Sequence, residues 1–271
     1  MTETGECALV FLPAAEPPGD NRAFVAVVRS PNELRRWLIA SPPQLQWLQV
    51  EGLLCEAEPW AEAAQGADEI PLDVILSNPE AEFSQLYRLV DVRAAREVRV
   101  TIPAAPGLME ATRLAASLGL PIRILPGQPP EESLELLKVV VDFYLHSPTV
   151  EAPIEPFHSL LASLRSGEME TLWKTLEEDP EVFAHIDTDG QCILPRSTQA
   201  APPSFVQDHF SRLIEEGAEC ACCPWQPMCV GYFKWPDPTY SCEGVKRLFT
   251  QIKAAADEIN ADLAAAQETA Q

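Results

Sequence analysis

Five cysteines crowd into the stretch from residue 220 to residue 242, and they are the side chains best suited to chemistry in this chain. They are Cys220, Cys222, Cys223, Cys229 and Cys242. Cysteines at this density hold a metal ion, hold an iron–sulfur cluster or form disulfide bonds. Which of the three applies decides what the protein does.

The spacing separates these cysteines into four candidate ligands and one bystander. Two residues separate Cys220 from Cys223, five separate Cys223 from Cys229, and twelve separate Cys229 from Cys242. A two-residue gap lets both sulfurs reach one centre from a single turn, and the wider gaps let the chain pass around a larger object. Cys222 fits this spacing less well than its neighbour Cys223, so we interpret it as a bystander that could substitute for a ligand.

Four thiolates suit zinc and a cubane iron–sulfur cluster equally well on charge grounds. Zinc sites more often pair two short Cys-x2-Cys turns, and this chain has one. The residues around the cysteines are mostly proline and aromatic, which would keep water from a cluster. The pattern therefore favours an iron–sulfur cluster over zinc, and zinc over uncoordinated thiols. The wall residues are Pro224, Trp225, Pro227, Tyr232, Phe233, Trp235 and Pro236.

The composition limits the partners. The chain has 271 residues, enough for one large domain or two smaller ones, and a formal net charge of -22. Nucleic acid and anionic membrane surfaces are polyanions, so we expect neither as a partner. The acidity serves solubility or provides a surface for a basic protein or peptide.

The N-terminal residues are acidic and polar, with no signal-peptide pattern. Nor does the chain contain a run of about 18 apolar residues that would predict a membrane span. We therefore expect a cytoplasmic protein. In a reducing compartment, clustered thiols are more often ligands than disulfides.

Residues 1 to 150 predict an α/β fold, because short apolar strands alternate with helical stretches. Five such repeats are too few for a closed eight-stranded barrel, so we expect a partial (β/α) barrel or an open parallel sheet with helices. The predicted strands are Phe24–Val28, Leu45–Val50, Leu72–Leu76, Glu97–Ile102 and Pro121–Leu125.

The rest of the chain predicts a proline-rich linker and helix over residues 151–180 and a small cysteine-rich lobe over residues 181–271. The Asp-Gly pair in the segment 186–195 predicts a hairpin. A helix over residues 204–217 leads into the cysteines. An amphipathic helix over residues 242–265 follows them.

The segment from about 180 to 245 resembles the SPASM or twitch extension of radical SAM enzymes. In that family an Asp-Gly hairpin precedes a Cys-x2-Cys-x5-Cys-x3-Cys run and a distant cysteine. Cys220, Cys223, Cys229 and Cys242 match the positions that bind the second auxiliary [4Fe–4S] cluster. The resemblance implies one complete cluster site in a SPASM/twitch-like lobe, and a degenerate radical SAM-like partial barrel before it.

Two departures from the family pattern limit what the resemblance implies. The family's first auxiliary cluster uses cysteines where this chain has Arg196 and Phe233, so that cluster is expected to be absent. The catalytic Cys-x3-Cys-x2-Cys motif should follow the first strand, but after Val28 there is no cysteine before Cys55. We therefore predict no catalytic residues of that chemistry and no S-adenosylmethionine cleavage.

Other motifs typical of catalytic sites are missing from the sequence. No phosphate-binding or dinucleotide-binding glycine motif is present. The isolated Cys7, Cys55 and Cys192 are interpreted as small buried apolar residues. The histidines at 146, 158, 185 and 209 lack helical ligand spacing and are interpreted as surface or capping residues.

Three functions follow from these patterns. The first is a non-catalytic radical SAM-like iron–sulfur protein that serves another enzyme, such as an active radical SAM or redox enzyme, by electron transfer, scaffolding or substrate presentation. The second is an acidic interaction subunit stapled by zinc. The third is a small-molecule enzyme that uses the carboxyl ends of the strands, where the chain places Arg29, Glu51, Ser77, Asn78, Pro103 and Pro126.

Overall fold

A computed structural model describes residues 9–13, 21–65, 70–197 and 199–269. These residues form one open nine-stranded sheet with the order β7-β6-β5-β4-β3-β2-β1-β8-β9. Neighbouring strands are parallel except β8 and β9. The strands are Leu9–Pro13, Phe24–Val28, Leu45–Glu51, Leu72–Ile75, Val98–Pro103, Ile122–Leu125, Ile154–Glu155, Phe183–Ile186 and Cys192–Ile193.

The α/β prediction with an open parallel sheet is confirmed, and the five predicted strands are β2 to β6. The predicted hairpin is also present, because His185 in β8 pairs with Ile193 in β9 in antiparallel register. Strands β1 and β7 were not predicted, and β8 and β9 were expected only as the two arms of the hairpin. Strands β7, β8 and β9 come after residue 150, so the segments on either side of that residue contribute to one sheet.

Eleven α-helices occur in the described residues. They are α1 (Pro31–Ile39), α2 (Glu58–Ala63), α3 (Pro79–Glu82), α4 (Leu89–Ala95), α5 (Leu108–Ser117), α6 (Glu131–His146), α7 (Phe157–Ser166), α8 (Leu172–Thr175), α9 (Phe205–Glu215), α10 (Gln226–Cys229) and α11 (Glu243–Thr269). Short 3-10 helices cover Phe83–Arg88, Glu219–Cys222 and Tyr232–Lys234. Among the described residues, no helix combines the length and the apolar character needed to cross a bilayer.

Local signals explain where several of these helices begin. Ser30 and Glu33 form a reciprocal capping box at the start of α1. Gly107 precedes α5 with φ +85°, and a side chain there would come within 2.3 Å of the Glu80 backbone nitrogen. Only glycine fits this close approach between α3 and α5.

Alternating strand residues face two different environments. Phe24, Ala26 and Val28 of β2 belong to the large core, whereas Val25 and Val27 belong to a small separate cluster. This second cluster covers only one end of the sheet. Further along the same sheet, β4, β5 and β6 carry charged side chains, which are described below with the functional site.

The last helix joins the cysteine-rich segment to the body. In α11, Val245, Phe249, Ile252 and Ala256 follow one another at three- and four-residue spacing and are buried. The helix then continues beyond the body, and Leu263 is 47% exposed.

Candidate metal centre

Four of the clustered cysteines meet at one small cavity. Cys220, Cys223, Cys229 and Cys242 all line it. The four come from different elements: a 3-10 helix, the residue after it, the end of α10 and the residue before α11. The structure thus brings together the four ligands expected from the spacing.

Backbone turns produce this convergence. The N–H of Cys223 donates to the carbonyl of Cys220 at 3.3 Å, so the 3-10 turn places both residues at its ends. After Cys229 the chain reverses through two left-handed residues, Val230 with φ +43° and Gly231 with φ +72°. This conformation is unfavourable for a β-branched residue such as Val230.

The cavity walls are aromatic. Trp225, Phe233 and Phe249 line it together with the cysteines, and the Trp225 and Phe249 rings are 5.4 Å apart between centroids. Phe233 occupies the place where the resemblance would require a cysteine. Its ring forms part of the wall, 6.1 Å from that of Phe249.

The cavity disfavours thiolates when no metal ion is bound. Burial, reinforced by the charge of Cys220, raises the pKa of Cys229 to about 11. Burial and the charge of Cys229 raise the pKa of Cys242 to about 12. Burial also raises the pKa of Cys220. Several thiolates crowded at one site repel each other, and a bound metal cation removes this penalty.

Two lysines and one glutamate also line the cavity. Lys234 is almost fully buried, and its Nζ lies 3.0 Å from Glu219 Oε1. Lys246 bonds to the other oxygen of the same carboxylate. The hydrogen bond from Lys246 is the main cause that lowers the pKa of Glu219 to about 2. The cysteines therefore share their cavity with two cations and one anion.

The free space between these side chains is small. The cavity holds about 20 Å³, which is room for one water molecule or one ion. Within the described parts of the chain, no group of three or more His, Cys, Asp or Glu side chains is arranged, as the side chains stand, to hold a metal ion. Cys222 is exposed and does not line the cavity among the residues described.

Arg196, at the other position where the resemblance would require a cysteine, connects the cysteine-rich segment to the rest of the molecule. Its Nε donates to Glu178 Oε2 at 2.7 Å, and its Nη1 donates to the carbonyl of Trp235 at 2.8 Å. Tyr232 Oη donates to the other oxygen of Glu178 at 3.0 Å. These bonds fix the segment just before and after Phe233, which forms the cavity wall.

A buried ionic network on the sheet is the main feature that sequence reasoning missed. Asp73 of β4 accepts hydrogen bonds from Arg99 at 2.8 Å, from Arg123 at 2.6 Å and from Thr101 at 2.6 Å. Glu177 accepts from both arginines on their other side. One charged residue in each of three consecutive apolar strands, with opposite signs, is the signal that could have revealed it.

A larger cavity of about 560 Å³ lies beside this network. Arg123, Arg196 and His185 line it. So do Arg29 and Glu51, which were expected at the strand ends and pair with each other at 2.8 Å. The other four strand-end candidates do not line it. One of them, Asn78, caps α3 instead.

Among the remaining cysteines and histidines, three residues differ from expectation. Cys55 is exposed, so its interpretation as a buried apolar residue is wrong, and Cys192 is half-buried. Cys7 lies outside the described residues. His209 is buried, with Nε2 3.3 Å from the carbonyl of Gly231, so it is not a surface residue.

Comparison with known proteins adds no relative to this picture. No family model matches the chain, and no curated protein and no solved structure matches it.

Proposed function

We propose that this protein is a non-catalytic, radical SAM-like iron–sulfur protein that holds one [4Fe–4S] cluster in a SPASM/twitch-like lobe. Cys220, Cys223, Cys229 and Cys242 would be the ligands. The observation that carries the proposal is their convergence on one cavity from three places in the chain: one 3-10 turn, the end of α10 and the residue before α11. A bound cluster would supply one-electron transfer.

The donor set fits such a group. Among the described residues, four thiols and no histidine or carboxylate other than Glu219 line the cavity, and thiolates are the usual ligands of iron–sulfur clusters. Four aromatic side chains, Phe210, Trp225, Phe233 and Phe249, limit access of water.

Zinc is the second candidate, and a different observation favours it. The space of about 20 Å³ between the side chains matches one ion, whereas a cluster requires the cysteine side chains to turn outward. If zinc is bound, the metal cross-links the cysteine-rich lobe and has a structural role, and the protein is an acidic interaction subunit.

The role we propose is service to a partner enzyme, by electron transfer, scaffolding or substrate presentation. The absence of the three-cysteine catalytic motif from the sequence supports this role. The formal charge of -22 supports a protein partner with a basic surface rather than nucleic acid or membrane. Reduced thiols at the cavity suit a cytoplasmic location.

The test is metal and sulfide analysis of protein purified without oxygen. We expect about four iron and four sulfide per chain, lost in the Cys223→Ala variant. Cys222→Ala is the matched control, because it removes the neighbouring thiol that does not line the cavity, and it should keep full iron content. One zinc per chain without sulfide would support the second candidate. Protein free of both metals would contradict both.

A further inference from the structure

The two lysines beside the four cysteines form an unusual arrangement. Lys234 is only 7% exposed in its side chain, and buried ammonium groups are rare unless they are paired. Its Nζ donates to Glu219 and, at 2.5 Å, to the carbonyl of Tyr240. Lys246 shares the same carboxylate. One anion therefore serves two cations, which leaves a net charge of +1 on this wall of the cavity.

This charge has the sign that a thiolate-bound centre needs. Four thiolates around a cubane core of charge +2 leave a net charge of -2, and uptake of an electron makes it -3. A nearby cation stabilises the more negative state by more than it stabilises the less negative state, because Coulomb energy scales with charge. Charge near a cluster is one of the factors that set its reduction potential.

We infer that Lys234 and Lys246 raise the reduction potential of this centre and that Glu219 offsets part of their effect. The inference rests on the proposed function and adds to it, since it identifies the side chains that decide how easily the centre accepts an electron. Lys234 has the larger role, because it is buried and water screens it least. Lys246 has the smaller role, because its side chain is 31% exposed.

A purely structural role of Lys234 predicts a different result from an electrostatic role. Lys234 could simply connect the Tyr240 carbonyl to Glu219, and its loss would then affect folding without a signed effect on the centre. An electrostatic role predicts opposite shifts. Removing a lysine charge makes the potential more negative, and removing the glutamate charge makes it more positive.

The experiment is a dithionite redox titration of the reconstituted full-length protein, followed by electron paramagnetic resonance. The variants are Lys234→Met, Lys246→Met and Glu219→Gln, which keep the approximate shape of each side chain. Lys234→Arg keeps the charge, and Lys253→Met removes a charge from an exposed lysine of α11 that pairs with Asp257. We expect negative shifts for both lysine-to-methionine variants at the cavity, with the larger for Lys234. We expect a positive shift for Glu219→Gln, and little change for Lys234→Arg and Lys253→Met.

Two results would overturn the inference. One is a wild-type reduction potential in both Lys246→Met and Glu219→Gln. These two variants test the inference by themselves if circular dichroism shows that Lys234→Met does not fold. The other is a shift of the same sign in all three cavity variants. A wild-type protein that takes up no cluster contradicts the proposed function itself, and iron and sulfide analysis detects that failure before any titration.

Discussion

The guanidinium of Arg196 stacks on the ring of Tyr232, with 4.0 Å between the guanidinium carbon and the ring centroid. The same arginine pairs with Glu178, whose side chain is 5% exposed. One side chain thus supplies a cation–π contact, a buried ion pair and hydrogen bonds to the chain on either side of Phe233. Arg196 therefore holds the aromatic wall of the cysteine cavity against the rest of the molecule.

We predict that Arg196→Met destabilises the protein by about 3 kcal/mol or more. Loss of the guanidinium leaves Glu178 buried with Tyr232 Oη as its remaining side-chain donor, and breaking a buried ion pair typically costs about 3–5 kcal/mol. Unfolding in guanidinium chloride, followed by tryptophan fluorescence, measures the change in the free energy of unfolding. Arg247→Met is the control, because it removes an exposed arginine 3.4 Å from the exposed Glu131. The control substitution should lower the free energy of unfolding by less than about 1 kcal/mol. Equal losses of stability in the two variants would show that the contacts of Arg196 contribute no more than an exposed ion pair.

The half-buried His185 predicts a loss of stability in acid. Its ring stacks on Phe11 at 4.2 Å, and its Nε2–H donates to the carbonyl of Glu177 at 2.7 Å. Burial lowers the pKa of His185 to about 4, below the value of about 6.5 expected in the unfolded chain. The unfolded state therefore takes up the proton first, and stability is lost as the pH falls from about 6.5 to about 4. The full effect is about 3 kcal/mol.

Unfolding free energies measured between pH 4.5 and pH 7.5 test this. His185→Gln should flatten the dependence in that window, because glutamine does not titrate and still has an N–H group to donate. His146→Gln replaces an exposed histidine and should keep the wild-type slope. A wild-type slope in the His185→Gln variant would show that other groups cause the acid sensitivity.

Strands β2 to β6 could be predicted because each is a local apolar run that ends at a turn or helix signal. The place of strand β8 in the sheet could not, although the hairpin that contains it was predicted. Its Phe183–Ile186 run pairs in parallel with β1, about 170 residues earlier in the chain, and no local pattern specifies so distant a partner. Strand β7 has only two residues, too few to show a period.

The candidate site also has a part that could be predicted from the sequence and a part that could not. Cys220, Cys223 and Cys229 lie within ten residues, so their spacing alone predicted that they meet at one site. The network of Asp73, Arg99 and Arg123 depends on strand register, since Asp73 lies opposite Arg99 in the sheet. Register between parallel strands is not visible in the sequence before the strand order is known.

The exposed end of α11 predicts tolerance to shortening. Residues beyond Ile259 are exposed as far as the structure describes their side chains, so a chain that ends at Asn260 should melt within about 2 °C of the full chain. A chain that ends at Gln251 loses the buried Ile252 and Ala256. It should be less stable by at least about 2–5 kcal/mol, the cost of removing one large apolar residue from a core. Differential scanning calorimetry of both proteins measures this. Marked destabilisation of the chain that ends at Asn260 would mean that the exposed helical turns beyond it have a structural role.

The position of Glu177 has a consequence for the order in which the molecule is made. Arg99 and Arg123 emerge from the ribosome early, and they share Asp73 as their only carboxylate partner among the described residues until Glu177 follows. Strand β1 likewise has a free edge until β8 emerges. The last cysteine of the cavity, Cys242, is synthesised after all of these. Any metal that needs all four thiols is therefore loaded onto a chain in which all nine strands of the described sheet have already been synthesised.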